Sequence, residues 1–170
     1  MKKVTIILTG VILMTIASVS VKAQVTATAS TSATIYTPIA ITKTVDMNFG
    51  NVAVSPTLPG TVVLAPAGTR TLTGGVTLPT VTGTVTSAEF TVAGEGTSTF
   101  SILIAPAQIT LLNGGNSMIV NNFTSTPTPT GTLVGGTATV NVGGTLNVAA
   151  AQAAGLYSNA SDLSVTVNYN

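Results

Sequence analysis

From residue 24 onward this chain changes character at every second position, in short runs separated by Gly, Pro and Asn. A period of two places alternate side chains on opposite faces of a strand, and few folds other than antiparallel sheet layers tolerate it over so much of a chain. Between Gln24 and Tyr36, the residues Val25, Ala27, Ala29, Thr31, Ala33 and Ile35 fall on one side and Thr26, Thr28, Ser30, Ser32, Thr34 and Tyr36 on the other. Pro38 interrupts the pattern; Ile39, Ile41 and Val45 resume it, and Asp46-Met47-Asn48-Phe49-Gly50 closes it with Met47 and Phe49 inward. Strands follow over Thr61–Ala65 and Thr69–Thr73, then a weaker one over Val76–Val85. Ala88–Ala93 turns Phe90 and Val92 inward, and Thr99–Ala105 does the same with Phe100, Ile102 and Ile104. Asn113-Gly114-Gly115-Asn116 is a hairpin signal between Ile109–Leu112 and a returning strand carrying Met118, Val120 and Phe123. Residues 51–60 and the Thr/Pro stretch 124–131 read as loops, and the glycine pairs at 74–75, 114–115, 135–136 and 143–144 as turns. Ala149 to Gly155 offers at most a turn or two of helix. Leu163, Val165, Val167 and Tyr169 alternate with Ser164, Thr166, Asn168 and Asn170; termini fray unless tied down, so this regularity predicts a central or inserted place in a sheet. Short strands at a spacing of roughly 8 to 12 residues predict an all-β sandwich or barrel. The 33 threonines agree, since a β-branched side chain suits a pleated surface better than a helix.

The start of the chain is different in kind. Lys2 and Lys3 precede an apolar run from Val4 to Val19, and Val21 and Ala23 provide the small-residue sites of a cleavage point before Gln24. This is the pattern of an export signal over residues 1–23. The run is shorter than the roughly 20 residues that span a bilayer, which argues against a permanent anchor, and no later run is as long. Removing 23 of the 170 residues leaves 147, the size of one domain, with an N-terminal segment 24–37 and a β-domain 38–170. The expected location is the cell surface or medium, with passage through the periplasm.

Processing also changes the charge. Lys43 and Arg70 then stand against Asp46, Glu89, Glu95 and Asp162, a net charge of −2, whereas the whole chain carries +1. Two cations cannot neutralise a row of phosphates, so nucleic acid is not an expected partner. His and Cys are absent, which removes the commonest general base, the usual zinc ligands, thiol nucleophiles and disulfides. A serine or threonine nucleophile would lack a base. Lys43 sits beside Asp46 in an alternating strand and reads as a solvated residue. Glu89 and Glu95 are six positions apart with no pKa-shifting neighbour in sequence, and they read as surface charges rather than an acid/base pair; a hydrolase using Glu89 or Asp162 is the weakest of the functional readings. No Asp-rich loop suggests calcium, and the glycine pairs lack the lysine of a phosphate loop. The expectation is therefore a non-enzymatic protein without cofactor or metal. Of the seven aromatics, Phe49, Phe90, Phe100 and Phe123 occupy inward positions, while Tyr36 and Tyr157 are the candidates for a glycan-binding face.

Four segments taken in order carry a resemblance: Asp46–Gly50; Ala88-Glu89-Phe90-Thr91-Val92-Ala93-Gly94; Val142-Gly143-Gly144-Thr145-Leu146-Asn147-Val148; and Ala154-Gly155-Leu156-Tyr157 followed by Val165-Thr166-Val167-Asn168-Tyr169. Over about residues 25–170 the chain resembles an exported bacterial family classed as a domain of unknown function, similar to the spore coat protein U domain and to subunits of alternative chaperone-usher pili. The resemblance implies an immunoglobulin-like, pilin-like antiparallel β-sandwich that lacks one strand and is completed by an N-terminal extension of the next subunit. It implies that Val25, Ala27, Ala29, Thr31, Ala33 and Ile35 form the donor strand, and that Leu163, Val165, Val167 and Tyr169 line the acceptor edge and meet a periplasmic chaperone before an outer-membrane usher. The chain departs from the typical pilus subunit in having no cysteine pair. Two functions remain open at this point: a fimbria-like or surface-coat subunit that self-associates by strand complementation, and a self-contained secreted sandwich that binds glycan or protein through its loops. In the second, the first strand pairs within its own domain.

Overall fold

The structure, a computed structural model, describes residues 23–159 and 163–170. The signal read over residues 1–23 lies outside the described residues except for Ala23. Residues 35–170 form one compact unit, and 23–34 belong to a separate one.

The unit 35–170 is all-β and antiparallel, and no helix is present among the described residues. Its strands are β1 (Ala40–Val45), β2 (Ala53–Val54), β3 (Gly60–Leu64), β4 (Arg70–Gly74), β5 (Val76–Thr77), β6 (Ala88–Ala93), β7 (Thr99–Ala105), β8 (Gln108–Asn113), β9 (Asn116–Thr126), β10 (Thr130–Thr132), β11 (Thr137–Val148) and β12 (Ser164–Tyr169). Seven of them, β1, β3, β4, β6, β8, β9 and β11, make a large sheet; β10, β7 and β12 make a smaller one in that order; β2 and β5 form a short pair.

The long strand β11 organises the rest. Asn141 and Val142 pair with β6 on one side and β9 on the other, and Thr145–Asn147 pair with β3 and β9. A residue has only two ladder edges, so β6 and β3 occupy the same edge of β11 end to end, with β9 along the other. The change of partner falls at Gly143-Gly144, inside the strand, so this glycine pair is no turn. A Cβ on Gly143 would lie 2.1 Å from the Leu64 carbonyl oxygen, and one on Gly144 would lie 2.9 Å from the Phe123 ring. Opposite the pair, β9 carries one extra residue and Asn122 adopts φ 50°, a β-bulge that sharpens the local bend.

Each half of β11 feeds its own apolar cluster. Val140 and Val142 join Phe90, Val92, Phe100, Leu133, Val165 and Val167, the layer between the large sheet and the small one. Leu146 and Val148 join Val62, Leu64, Val120, Phe49 and Val76 where the large sheet curls on itself. Met47 and Phe123 pack against both. The result is a sandwich at one end that curls toward a half-barrel at the other, in agreement with the antiparallel sandwich expected from the alternation.

Several local readings change. β9 continues to Thr126 because Asn141 and Val142 pair with Thr126 and Ser125, and β10 forms within what the Thr/Pro composition marks as loop. Of Val76–Val85 only Val76–Thr77 is strand, and it pairs with β2 inside the expected loop 51–60. Residues 149–155 form a turn without helix, with Ala151 at φ 52°. β12 is regular, as expected, but pairs with β7 alone and lies at a sheet edge rather than within one.

These contacts set the cost of substitution. Gly143→Ala pushes a methyl into backbone and is expected to lower unfolding free energy by about 2 to 3 kcal/mol. Phe100→Ala, at the centre of the first cluster with no exposed surface, is expected to cost about 3 to 5 kcal/mol. Gly115→Ala meets nothing within 4 Å and is expected to stay within about 0.5 kcal/mol of the parent. Urea unfolding of the three variants checks the ranking.

Candidate functional site

Among the described residues no group of three or more metal-ligating side chains comes together; what stands out is a pair of sheet edges and the groove beside Leu163. β1 pairs with β6 only and β12 with β7 only, so each keeps an outer edge without a ladder partner among the described residues. Along β12 the side chains alternate as the sequence predicts: Val165 and Val167 point into the first cluster and Ser164, Thr166 and Asn168 are exposed. Leu163 and Tyr169, at its two ends, pack against the same cluster.

At the Leu163 end the surface opens into a groove of about 950 Å³. Its floor is apolar and takes in residues of both clusters: Phe90 from β6, Ile109 and Leu111 from β8, Met118 and Val120 from β9, Leu146 and Val148 from β11. Met47 and Phe49 form one wall. The volume is at the upper end of what a small-molecule pocket holds. The rim is polar. Lys43 and Asp46 form an ion pair there, exposed at 53% and 80% and so of little energetic weight. On the opposite side the amide of Leu112 donates to the Ser158 carbonyl at 3.0 Å and Ser158 returns the bond at 3.1 Å, while Asn159 Nδ2 donates to the Thr110 carbonyl at 2.9 Å. These bonds cover the outer edge of β8. Tyr157 lines the groove, its hydroxyl donating to the Ala153 carbonyl at 2.9 Å and accepting from Gln152 Nε2 at 2.8 Å.

At the Tyr169 end the edges are tied instead. The Tyr169 hydroxyl accepts the Glu95 amide proton at 2.6 Å and donates to the Thr37 carbonyl at 2.8 Å. The Glu95 carboxylate accepts from both the amide and the hydroxyl of Thr37, at 3.1 and 2.7 Å. Tyr36 stands edge-on to the Tyr169 ring, centroids 6.2 Å apart. Three elements distant in sequence, the approach to β1, the β6–β7 turn and the end of β12, therefore meet in one polar clamp. Gly94 makes room for it, since a Cβ there would lie 2.3 Å from the Tyr169 hydroxyl oxygen. The Thr37 hydroxyl and amide hold the Glu95 carboxyl below its ordinary value of 4.5. A depressed pKa means the bond contributes above pH 4.5 and is lost as pH falls through the folded value.

The other candidate residues are placed as follows. Glu89 accepts from the Thr44 hydroxyl at 2.8 Å on the outward face of β1 and β6. Asp162 lies outside the described residues. Phe49, Phe90 and Phe100 are buried and Phe123 half-buried, as their inward positions suggested, whereas Tyr36 is 58% exposed. The segment expected to form the first strand is different from its pattern: no strand is assigned from residue 23 to 39, and Val25, Ala27, Ala29, Thr31, Ala33 and Ile35 are all exposed, Val25 at 91% and Ile35 at 93%. Alternation makes a segment able to pair, but a ladder also needs a partner strand. Sequence reading missed the part played by Glu95, which it took for a surface charge; its partners lie 58 and 74 positions away, and no local signal announces them. Among the described residues no helix is long and apolar enough to cross a membrane.

A family model matches residues 39–169, from the approach to β1 through the last residue of β12. The chain belongs to the family described as domain of unknown function DUF4402. The DUF4402 region takes in all twelve strands, the groove and most of the clamp, and leaves out residues 24–38. No curated protein and no solved structure matches the chain. Nothing in these comparisons ties the DUF4402 chain to spore coat protein U domains or to pilus subunits.

The clamp yields a pH prediction. The Thr37 amide resonance is expected to titrate below pH 4.5 in the parent, and Glu95→Gln is expected to abolish that titration while leaving the β11 amides unmoved. Gly94→Ala is expected to break the Tyr169 bonds and raise the hydrogen exchange of the Thr37 and Glu95 amides. Two-dimensional NMR between pH 3 and 7 reads both.

Proposed function

We propose that this protein is a non-enzymatic exported structural subunit, of a fimbria- or pilus-like filament or a surface coat, that assembles by β-strand complementation. In this reading residues 25–35 of one copy lie along the outer edge of β12 in the next, with Val25, Ala27, Ala29, Thr31, Ala33 and Ile35 directed to the groove and Leu163, Val165, Val167 and Tyr169 lining the acceptor side. The observation that carries it is the groove itself: an apolar opening of about 950 Å³ that reaches both core clusters and ends at Leu163, just before β12, whose outer edge has no ladder partner among the described residues. An uncovered edge of this kind invites pairing with another chain, and strand addition satisfies its main-chain groups and apolar surface together. A donor with small side chains at one end and Ile at the other suits a groove of uneven depth. Burial of a few hundred Å² of apolar surface contributes on the order of 5 to 10 kcal/mol before ordering costs. The likeness to pilus subunits adds a periplasmic chaperone and an outer-membrane usher as partners, and the leader pattern of residues 1–23 adds export.

One observation favours a second reading, a secreted sandwich that binds glycan or protein through its loops. Tyr157, Gln152 and Asn159 place hydrogen-bonding groups on the groove rim beside an apolar floor, a combination that suits a polar ligand with apolar faces.

Light scattering on the exported chain over a range of concentrations separates the two. Strand complementation is expected to give concentration-dependent multimers; deletion of residues 24–36 is expected to abolish them, and a peptide of those residues to raise the melting temperature of the deleted form. A monomer indifferent to the peptide, with glycan-array signal lost in Tyr157→Ala, overturns complementation in favour of the second reading.

A further inference from the structure

One wall of the groove is the segment 152–159, which is held to the β8–β9 hairpin by a few bonds. Gln152 Nε2 donates to the Ser117 carbonyl at 3.2 Å, and Leu112 and Ser158 exchange main-chain bonds. Asn113 Nδ2 donates to the Ala154 carbonyl at 3.3 Å. The same amide rests directly on Gly155, where a Cβ would lie 2.2 Å from Nδ2. Asn113 is the last residue of β8, paired with Asn116 across the turn, and it is followed by Gly114, the one Asn-Gly pair in the sequence. The turn is open: nothing lies within 4 Å of where a Cβ would stand on Gly114 or Gly115.

We propose that Asn113-Gly114 is a modification site, where deamidation of Asn113 acts as a one-way latch on the groove wall. In this reaction the Gly114 main-chain nitrogen attacks Asn113 Cγ. A C–N bond forms as the Cγ–Nδ2 bond breaks, and Nδ2 leaves as ammonia with the Gly114 amide proton. Water then opens the cyclic imide at one of its two carbonyls, which gives aspartate or, with the main chain routed through the side chain, isoaspartate. No oxidant, reductant or enzyme is required. While the wall is closed, the bond to Ala154 holds the Asn113 amide away from its own main chain, so the reaction proceeds from the open form and its rate follows local opening. The product cannot reverse that opening. A carboxylate has no proton to donate, and its oxygen would face the Ala154 carbonyl oxygen, acceptor against acceptor, with a new negative charge over Gly155. Each opening of the wall therefore carries a chance of becoming permanent. The latch acts on the groove whether a strand or a small ligand fills it, so it stands apart from the assembly reading.

The exported chain, aged at mildly alkaline pH, is expected to gain the mass of an amide-to-acid conversion at Asn113 ahead of every other asparagine, Asn116 in the same turn included. Gln152→Ala removes two bonds of the wall without touching Asn113 and is expected to hasten that conversion severalfold. Asn113→Asp keeps the shape of the side chain and supplies the product directly. Hydrogen exchange of the Leu112 and Ser158 amides in this variant is expected to rise about tenfold, the scale of one lost hydrogen bond. Asn116→Asp places the same charge in the same turn, on a residue whose side chain bonds only to the Asn113 carbonyl, and is expected to leave those two amides as in the parent. Conversion at Asn113 no faster than at Asn116 overturns the modification site. A parent-like rate in Gln152→Ala, or parent-like exchange at Leu112 and Ser158 in both Asn113→Asp and the aged protein, overturns the latch.

Discussion

The fold depends on the passage of β11 between the Leu64 carbonyl and the Phe123 ring. Only at Gly143 and Gly144 can a strand approach both so closely, and it is there that β11 exchanges β6 for β3 along one edge while keeping β9 along the other. One strand thereby belongs to two cores. Val140 and Val142 are packed by the small sheet, Leu146 and Val148 by the curl of the large one, and Phe123 bridges them from the bulge at Asn122. Had β11 been straight and flanked by side chains throughout, the large sheet would have faced the small one along its full length. Because it bends, the small sheet covers only the first cluster, and the second is covered by the Met47–Val52 segment, held in place by Arg70 bonding to the carbonyls of Phe49 and Asn51. The groove lies between the Met47–Val52 segment and the turn residues 152–159.

The balance of the edge strands follows from the same asymmetry. β8 has its outer edge shielded by Ser158 and Asn159, and β4 ends the other side of the large sheet with Arg70 and polar Thr71 and Thr73. β1 carries Thr42 outward and an exposed Lys43 at the groove rim, and a lysine on an edge strand is a common way of discouraging adventitious pairing. β12 combines a regular register, an apolar inner face and no charge from Ser164 to Tyr169 with an outer edge that has no ladder partner among the described residues.

Much of this was legible in the alternation. Phe90 with Val92, and Phe100 with Ile102 and Ile104, fall on one face by counting in twos, and the burial of Phe90, Val92 and Phe100 follows from that count alone. The hairpin at Asn113–Asn116 follows from its turn residues. What sequence alone does not convey is closeness between distant segments. Gly143-Gly144 has the local composition of a turn, and only the approach of Leu64 and Phe123 makes it the middle of a strand. Thr124–Thr126 has the composition of a loop, and only pairing with β11 extends it. Val25 to Ile35 has the full alternation of a strand and none of its ladder, because propensity describes fitness for a pleated surface and not the presence of a neighbour. The candidate site divides in the same way. The inward residues of β12, Val165 and Val167, could be chosen by periodicity, whereas the bonding of Glu95 to Thr37 and Tyr169 depends wholly on tertiary structure.

The scarcity of charge gives these observations a common direction. Four acidic and two basic side chains after residue 23 leave the sheets with few means of repelling another chain, and uncharged hydroxyl-rich faces pack against copies of themselves without like-charge repulsion. A soluble monomer under pressure to stay apart would place one of those few charges on its most pairing-competent edge. This chain places Lys43 beside Asp46, where the two neutralise each other at the groove rim, and Glu95 in a clamp at the far end of β12 from the opening. β12 itself carries no charge from Ser164 to Tyr169. An edge that is regular, apolar on one side and without a ladder partner among the described residues supports the proposal that another strand covers it.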